Sequence, residues 1–531
     1  MFKKGYVLTK TDATKVLLSI IFISLVFIPL FTMFINMDAE SIQSVVSSPV
    51  FGTAIKNSLV STSISTFITI VIAYILAMSI ERTNIRYKSI FSIIFVLPML
   101  VPSISNGMGL TILFGNNGML TKVLGLSEGL YGMWGIVMGS VLYAFPVAFL
   151  MFQDVIRYED ASPYEAAKVL GITKFRQFTA ITYPYLRKPL VSVVFSTFTL
   201  IITDYGVPLM IGGKYTTIPV VMYQEVIGQL NFGKGSVYGA LLLIPAVMAF
   251  IIDLLNQDKG NSSYAPKKYV PSGNVLAKVF GYIMCGIATL YTLMPIMSFV
   301  LLSFSKDYPN DMTLTFDNIT KTLNLKADEY LVNSFLIAIL VAIVGVVVAF
   351  LTAYLSARMK SKVSKFLHLS SMTSAAIPGV VLGLSYVLSF KTTPMYGTII
   401  ILVMVNLVHF ISSPYLMIYN SLSKINENLE AVAMTMGINR VQMIKDVFLP
   451  MCKNTLFEML AYFFVNCMIT ISAVSFLANT SNKPVALMIN QFEAQMQLES
   501  AAVVSLMILI VNLIIKGVFH LLKQKNMIVK A

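Results

Sequence analysis

Charge is scarce in this chain of 531 residues. Asp, Glu, Lys and Arg make up 12% of it, hydrophobic residues make up 57%, and the mean hydropathy is +0.80. Soluble domains carry about 25% charged residues, so an ordinary water-exposed fold is excluded and lipid is the expected solvent. Cysteine and histidine are scarcer still. Cys285, Cys452 and Cys467 show no CxxC spacing, and His368, His409 and His520 fall in or near apolar blocks without helical pairing. That distribution indicates neither a disulfide framework nor a metal site. A nucleotide motif is lacking too. The nearest approach, Gly228 to Gly235, puts Gly235 where the magnesium-holding Ser or Thr of a P-loop belongs, and no strand precedes it. With no metal-ligand cluster, nucleophile motif or close acid/base pair in the apolar blocks, a membrane enzyme is disfavoured.

Long apolar runs are abundant. Blocks of about 20 residues, enough to cross a hydrocarbon layer of about 30 Å as helix, recur at roughly 16–36, 57–80, 90–114, 133–153, 189–211, 237–256, 279–304, 332–356, 367–390, 398–419, 454–477 and 500–522. A helical bundle satisfies the backbone in lipid. Twelve spans put both ends on one side, and with a cytoplasmic start only nine of the 38 Lys and Arg fall in outer loops. This positive-inside bias places both termini in the cytoplasm. The net charge of +14 invites a nucleic-acid reading, but Arg82, Arg86, Lys88, Arg358, Lys360, Lys362 and Lys365 sit beside span ends. Membrane anchoring explains them, and nucleic acid is not expected as a partner. The first block lacks a small-residue cleavage site and reads as a retained helix.

The chain repeats itself. Glu165-Ala166-Ala167, Gly171 and Ile181-Thr182-Tyr183-Pro184 are answered by Ala431-Val432-Ala433, Gly437 and Val447-Phe448-Leu449-Pro450. Gly171 to Gly437 and Pro184 to Pro450 are both displaced by 266 residues, whereas Asn57-Ser58 to Asn333-Ser334 and Pro102 to Pro378 are displaced by 276. Loop insertions account for the drift. Six spans per copy give both halves the same orientation.

The pattern EAA, three residues, G, nine residues, I-x-L-P resembles the cytoplasmic signature of binding-protein-dependent ABC importer permeases. The resemblance implies an all-α integral membrane protein, with about 12 transmembrane helices in two tandem six-helix repeats of the type I class. Residues 1–257 would form the first half, with a docking loop at about 158–187. A cytoplasmic linker at 258–276 would lead to a second half at 277–531, with its loop at about 424–453. In the family each loop is a short helix, a turn and a second helix seated on an ATPase. Ala166, Ala167 and Ala433 favour helix and leave a low surface for a partner, Gly171 and Gly437 permit the turn, and Glu165 can pair with a basic partner group or complement the helix N-terminus. Pro184 and Pro450 mark the approach to the next span. Because Ala431 takes the glutamate's place and Glu430 lies one residue earlier, the two contacts are expected to differ. The implied partners are two copies of an ATPase carrying ATP and Mg, an extracytoplasmic binding protein and the lipid of a bacterial plasma membrane. No cofactor is expected in this chain.

For the translocation path, Asp204 follows the apolar run 195–202, and an ionised carboxylate in a span costs about 2.5 to 3.5 kcal/mol. Tyr205, with Gly206 and Pro208, can break the same helix. Asn106 in the third span is a further candidate, and Ser472 and Ser475 mark the corresponding stretch of the second half. Thr203 to Tyr215, followed by Tyr223-Gln224, Gly228-Gln229, Asn231-Phe232 and Pro245-Ala246, is most similar to 2-aminoethylphosphonate permeases, with ferric iron and thiamine permeases as related alternatives. A secondary transporter has the same hydropathy and duplication, but the paired docking motifs disfavour it.

Overall fold

The computed structural model describes residues 10–123, 125, 129–256, 267, 269, 271 and 273–528. Among these the chain is helical, apart from one antiparallel hairpin, Ser305–Asp307 with Asp311–Leu314. Eight helices have the length and composition to cross a membrane: Ala13–Ile35, Pro49–Arg82, Met133–Arg157, Lys174–Ile202, Phe232–Asn256, Val275–Phe304, Ala327–Ala357 and Leu498–Gln524. Three further helix pairs have that length and composition only together and are bent, each a broken span or a re-entrant loop. Lys88–Leu100 meets Ser103–Val123 at 101°, Lys362–Ala376 meets Gly379–Phe390 at 110°, and Ile399–Phe410 meets Ser412–Ser423 at 54°. With each bent pair taken as one span, the described residues hold up to eleven, against the about twelve expected. The expected span 454–477 is a 17-residue helix, Lys453–Ile469, followed by turns, short of the about 20 residues a straight crossing needs.

Proline accompanies three of the four π-helical turns among the described residues. π-Helical turns at Ile23–Phe27, Phe178–Thr182 and Ile444–Phe448 are each followed two positions later by Pro29, Pro184 or Pro450. A proline has no N–H for the carbonyl four residues back and its ring crowds that carbonyl, so the turn before it widens. Pro184 thus lies inside a continuous helix, Lys174–Ile202, rather than at a boundary between loop and span.

The helices gather into two compact units. One comprises the described parts of Met1–Asp38, Asp328–Val485 and Ile510–Ala531; the other comprises Ala39–Ala327 and Ala486–Leu509. Packing and duplication therefore divide the chain at different places, because the helix that opens each repeat belongs to the unit built mainly from the other repeat. In the first unit Lys15 Nζ donates to the Met359 carbonyl at 3.0 Å, and the Tyr386 hydroxyl donates at 2.8 Å to the Leu25 carbonyl, the group that Pro29 leaves without a helical partner. In the second unit Val275–Phe304 does the same. Its Tyr291 hydroxyl reaches the carbonyls of Met138 and Leu142, the latter freed by Pro146, and Gly109 lets Pro295 approach so closely that a Cβ would lie 2.6 Å from it. Most of the linker 258–276 lies outside the described residues.

The ten-residue drift is also placed. In the second repeat the hairpin Ser305–Leu314 follows the opening helix, where the first repeat passes directly to the short helix Ala39–Val46. In the first repeat residues 115–132, which include the short helix Met119–Val123, stand against the shorter 391–398. Both insertions lie in one unit and touch, with the Tyr308 hydroxyl 2.7 Å from the Asn117 carbonyl and 3.0 Å from that of Ile112.

Candidate functional site

Each docking loop begins with an eight-residue helix, Ser162–Val169 or Asn428–Thr435. Both end in the same cap. Gly171 and Gly437 have φ of +66° and +69°. Ile172 and Ile438 donate at 2.9 Å to the carbonyls of Ala167 and Ala433, and the two glycines donate at 3.2 Å to those of Lys168 and Met434. These paired bonds are a Schellman motif, which favours glycine at the left-handed position. A Cβ on either glycine would meet nothing within 4 Å, so the constraint is conformational. Beyond the turn the chain enters the helices that carry Pro184 and Pro450.

Ala167 and Ala433 are buried within their own units, 3% and 8% exposed. That corrects their expected role: their small size lets the loop helix sit close on its own chain. The outward surface is made by Glu165, Ala166, Val169, Leu170 and Phe175 in the first loop, and by Ala431, Val432, Met434, Met436 and Val441 in the second. Each surface carries large exposed apolar side chains, and the first also carries the exposed charges of Glu165 and Lys168.

An arginine at the end of the second span holds each loop in place. Arg82 forms a buried ion pair with Glu159, whose carboxylate also accepts the Tyr164 hydroxyl. Tyr164 in turn lies 2.7 Å from Thr182 Oγ1. Burial, then the bond to Glu159, pushes the Tyr164 phenol well above its ordinary pKa. Arg358 binds Glu430 through both carboxylate oxygens and donates to the carbonyls of Ile425 at 2.6 Å and Asn426 at 2.9 Å. Glu430 is thus turned towards its own chain, whereas Glu165 points outward with its side chain 53% exposed. These arginines were read from the sequence only as membrane anchors; an arginine recurring at the end of both second spans was the available signal.

Within the spans, the break expected after Asp204 is present. Helix Tyr183–Ile202 ends, and Asp204 caps the short helix Gly206–Ile211 by accepting from the backbone of Gly206 at 3.3 Å and Val207 at 3.0 Å. It also bonds the side chain of Ser103, the first residue after the 101° bend. A cavity of about 10 Å³, room for about one water molecule, is lined there by Ser58, Ser61, Thr62, Ser140, Asp204 and Thr217. Tyr205 is buried and stacks on Tyr223 with ring centroids 4.8 Å apart, and Asn106 is buried with its amide donating to the Pro98 carbonyl at 3.3 Å. Both residues are committed to their own unit.

At the second bend Gly379 takes the place of Ser103. A Cβ there would lie 2.1 Å from Ser472 Oγ and 3.1 Å from His409 Nε2, so Ser472 and His409 converge on this elbow. Ser475 donates its hydroxyl to the Ile471 carbonyl. His409 went unnoticed as a site residue in the sequence, although an ionisable group inside a span is a functional candidate by default.

The family model described as the binding-protein-dependent transport system inner membrane component matches residues 69–257 and again residues 345–527. The ferric transport system permease protein FbpB of Actinobacillus pleuropneumoniae is 27% identical over 77% of this chain and 62% of its own length. A putative ferric transport system permease protein, FbpB 1 of Haemophilus influenzae, is 25% identical over 77% of this chain and 68% of its own. The thiamine transport system permease protein ThiP of Brucella abortus is 23% identical over 40% of this chain and 41% of its own. The match thus spans less than two thirds of the Actinobacillus relative.

Proposed function

The chain belongs to the family of binding-protein-dependent transport system inner membrane components, and from that premise we propose that it is the permease of an ATP-driven importer, with both halves on one polypeptide. Each docking loop seats one ATPase subunit, and ATP and Mg are bound there rather than on this chain. An extracytoplasmic binding protein delivers a small polar solute to the outer face. Both loops and both termini lie in the cytoplasm, and the membrane is the plasma membrane of a bacterium. The observation that carries this reading is the pairing of the loops. The same glycine cap, a set of exposed apolar side chains and the same anchoring arginine occur once per repeat.

For the cargo we place ferric iron first, because the ferric relatives match most of the chain. 2-Aminoethylphosphonate stands second, on the similarity of residues 203–246. Asp204 in the first repeat, and Ser472 and His409 in the second, are assigned to the translocation path on their placement at the two elbows, and Tyr205, Asn106 and Ser475 on their position in the sequence beside them.

Uptake of labelled ferric iron, 2-aminoethylphosphonate and thiamine is to be compared in cells with and without this chain, the partner subunits present. ATP-dependent ferric uptake that needs the chain is expected, and uptake of only one of the other solutes discards the iron assignment. Uptake persisting after ATP depletion points to a secondary transporter instead. Gly171→Arg and Gly437→Arg should leave the permease inserted but release the ATPase on co-purification. Normal retention and coupling in both variants would mean that the loops are not the seats.

A further inference from the structure

The segment joining the two repeats touches the first docking loop at two described residues. Lys267 is bound there by its backbone on both sides: its N–H donates to Asp160 Oδ1 at 3.1 Å, and its carbonyl accepts from the Ala161 N–H at 2.9 Å. Its ammonium donates to Glu165 Oε2 at 2.6 Å. Two residues on, the Tyr269 ring lies 3.8 Å from the Arg82 guanidinium carbon and edge-on to Tyr164, with centroids 5.8 Å apart. Tyr269 therefore covers the Arg82–Glu159 pair, while Lys267 neutralises the outward carboxylate of the docking helix.

The two contacts differ in strength. A guanidinium over an aromatic face at a desolvated site, together with a paired backbone contact, holds Tyr269 and Lys267 in place. The Lys267–Glu165 pair is half exposed, 57% and 53% at the side chains, and an exposed ion pair is weak and easily exchanged. The second loop has no such outward pair at the matching position, since Ala431 stands there and Glu430 is taken by Arg358.

We infer that Lys267 and Tyr269 are working parts of the first docking site, with Tyr269 packed on the arginine that anchors the loop and Lys267 serving as a counter-ion on Glu165 that a basic side chain of the ATPase displaces on docking. This rests on the docking reading above. It makes the first seat a competed one at Glu165, whereas the exposed pair of the second loop, Lys360 with Glu427 at 3.0 Å, lies before the loop helix.

The test uses the intact permease with its ATPase. Lys267→Ala removes the competitor but keeps the backbone contact, and should raise ATPase affinity about two- to fivefold, the range of an exposed pair. In a Glu165→Gln background, where there is no carboxylate left to compete for, Lys267→Ala should change the affinity no further. An affinity that is unchanged or lowered in Lys267→Ala, or one that it raises equally in the Glu165→Gln background, overturns the inference. Gly171→Arg separates the two levels. If it releases ATPase while Lys267→Ala leaves the affinity unchanged, only the role of Lys267 fails; if it too retains ATPase, the docking reading fails.

Discussion

At the end of its second span each repeat buries an arginine beside its docking loop, and the two repeats neutralise it with different chemistry. Tyr164 and Glu430 occupy the same place, as do Thr182 and Phe448, and Glu159 and Ile425, each pair displaced by 266 residues. In the first repeat Arg82 is met by a carboxylate from the turn before the loop helix, whose other oxygen accepts the Tyr164 hydroxyl, itself paired with Thr182. In the second the carboxylate has moved onto the loop helix, two carbonyls add further acceptors, and the Phe448 ring lies 5.4 Å from the guanidinium carbon. An arginine presents several fixed donors; Arg358 meets them with carboxylate and carbonyls, whereas Arg82 Nη1 is buried without a hydrogen-bond acceptor and the guanidinium lies against the Tyr269 ring instead. This exchange leaves Glu165 facing outward in one loop and consumes Glu430 in the other.

The largest expected difference tests that account directly. Glu159→Ala leaves Arg82 buried without its carboxylate and should cost about 3 to 5 kcal/mol. Glu430→Ala leaves Arg358 its carbonyl partners and should cost only about 1 to 3 kcal/mol. Thermal unfolding of the purified permease in detergent measures both, and equal losses would break the distinction. The elbows give a smaller contrast. Gly379→Ala forces a Cβ against Ser472 and should destabilise by about 1 to 3 kcal/mol with loss of uptake. Ser103→Ala, where a Cβ is already housed, removes only a hydrogen bond to Asp204, about 0.5 to 1.5 kcal/mol. The smallest effect lies at the second loop helices. Asn439 caps its helix by accepting from Gln442 N–H at 2.8 Å, while Thr173 in the same place makes no side-chain cap bond. Asn439→Ala should cost about 1 kcal/mol and Thr173→Ala almost nothing, so matching losses would show that the loops are more alike than their caps suggest.

Much of the fold was legible because it depends on local composition. Apolar run length gave the spans, and two glycines at one displacement gave both docking turns. Reading failed where a residue's surroundings come from far along the chain. Ala167 looks like any exposed helical alanine until its helix is docked, Asn106 finds its acceptor in a carbonyl left over from a broken turn, and the helix over 454–477 is cut short by turns that hydropathy does not register. His409 acquires its setting only when Gly379 and Ser472 are folded against it.

The sequence by itself determined that this chain lives in lipid, that it is a duplication, and that each copy carries one glycine-capped loop, since each of these follows from solvent, spacing or a single backbone angle. The tertiary structure alone decided that the opening helix of each repeat packs in the unit built mainly from the other, which carboxylate each arginine takes, and where the bent spans place their polar groups. Those outcomes depend on which orphaned donors and carbonyls come within reach of one another, and a proline or an arginine creates that demand without specifying what will meet it.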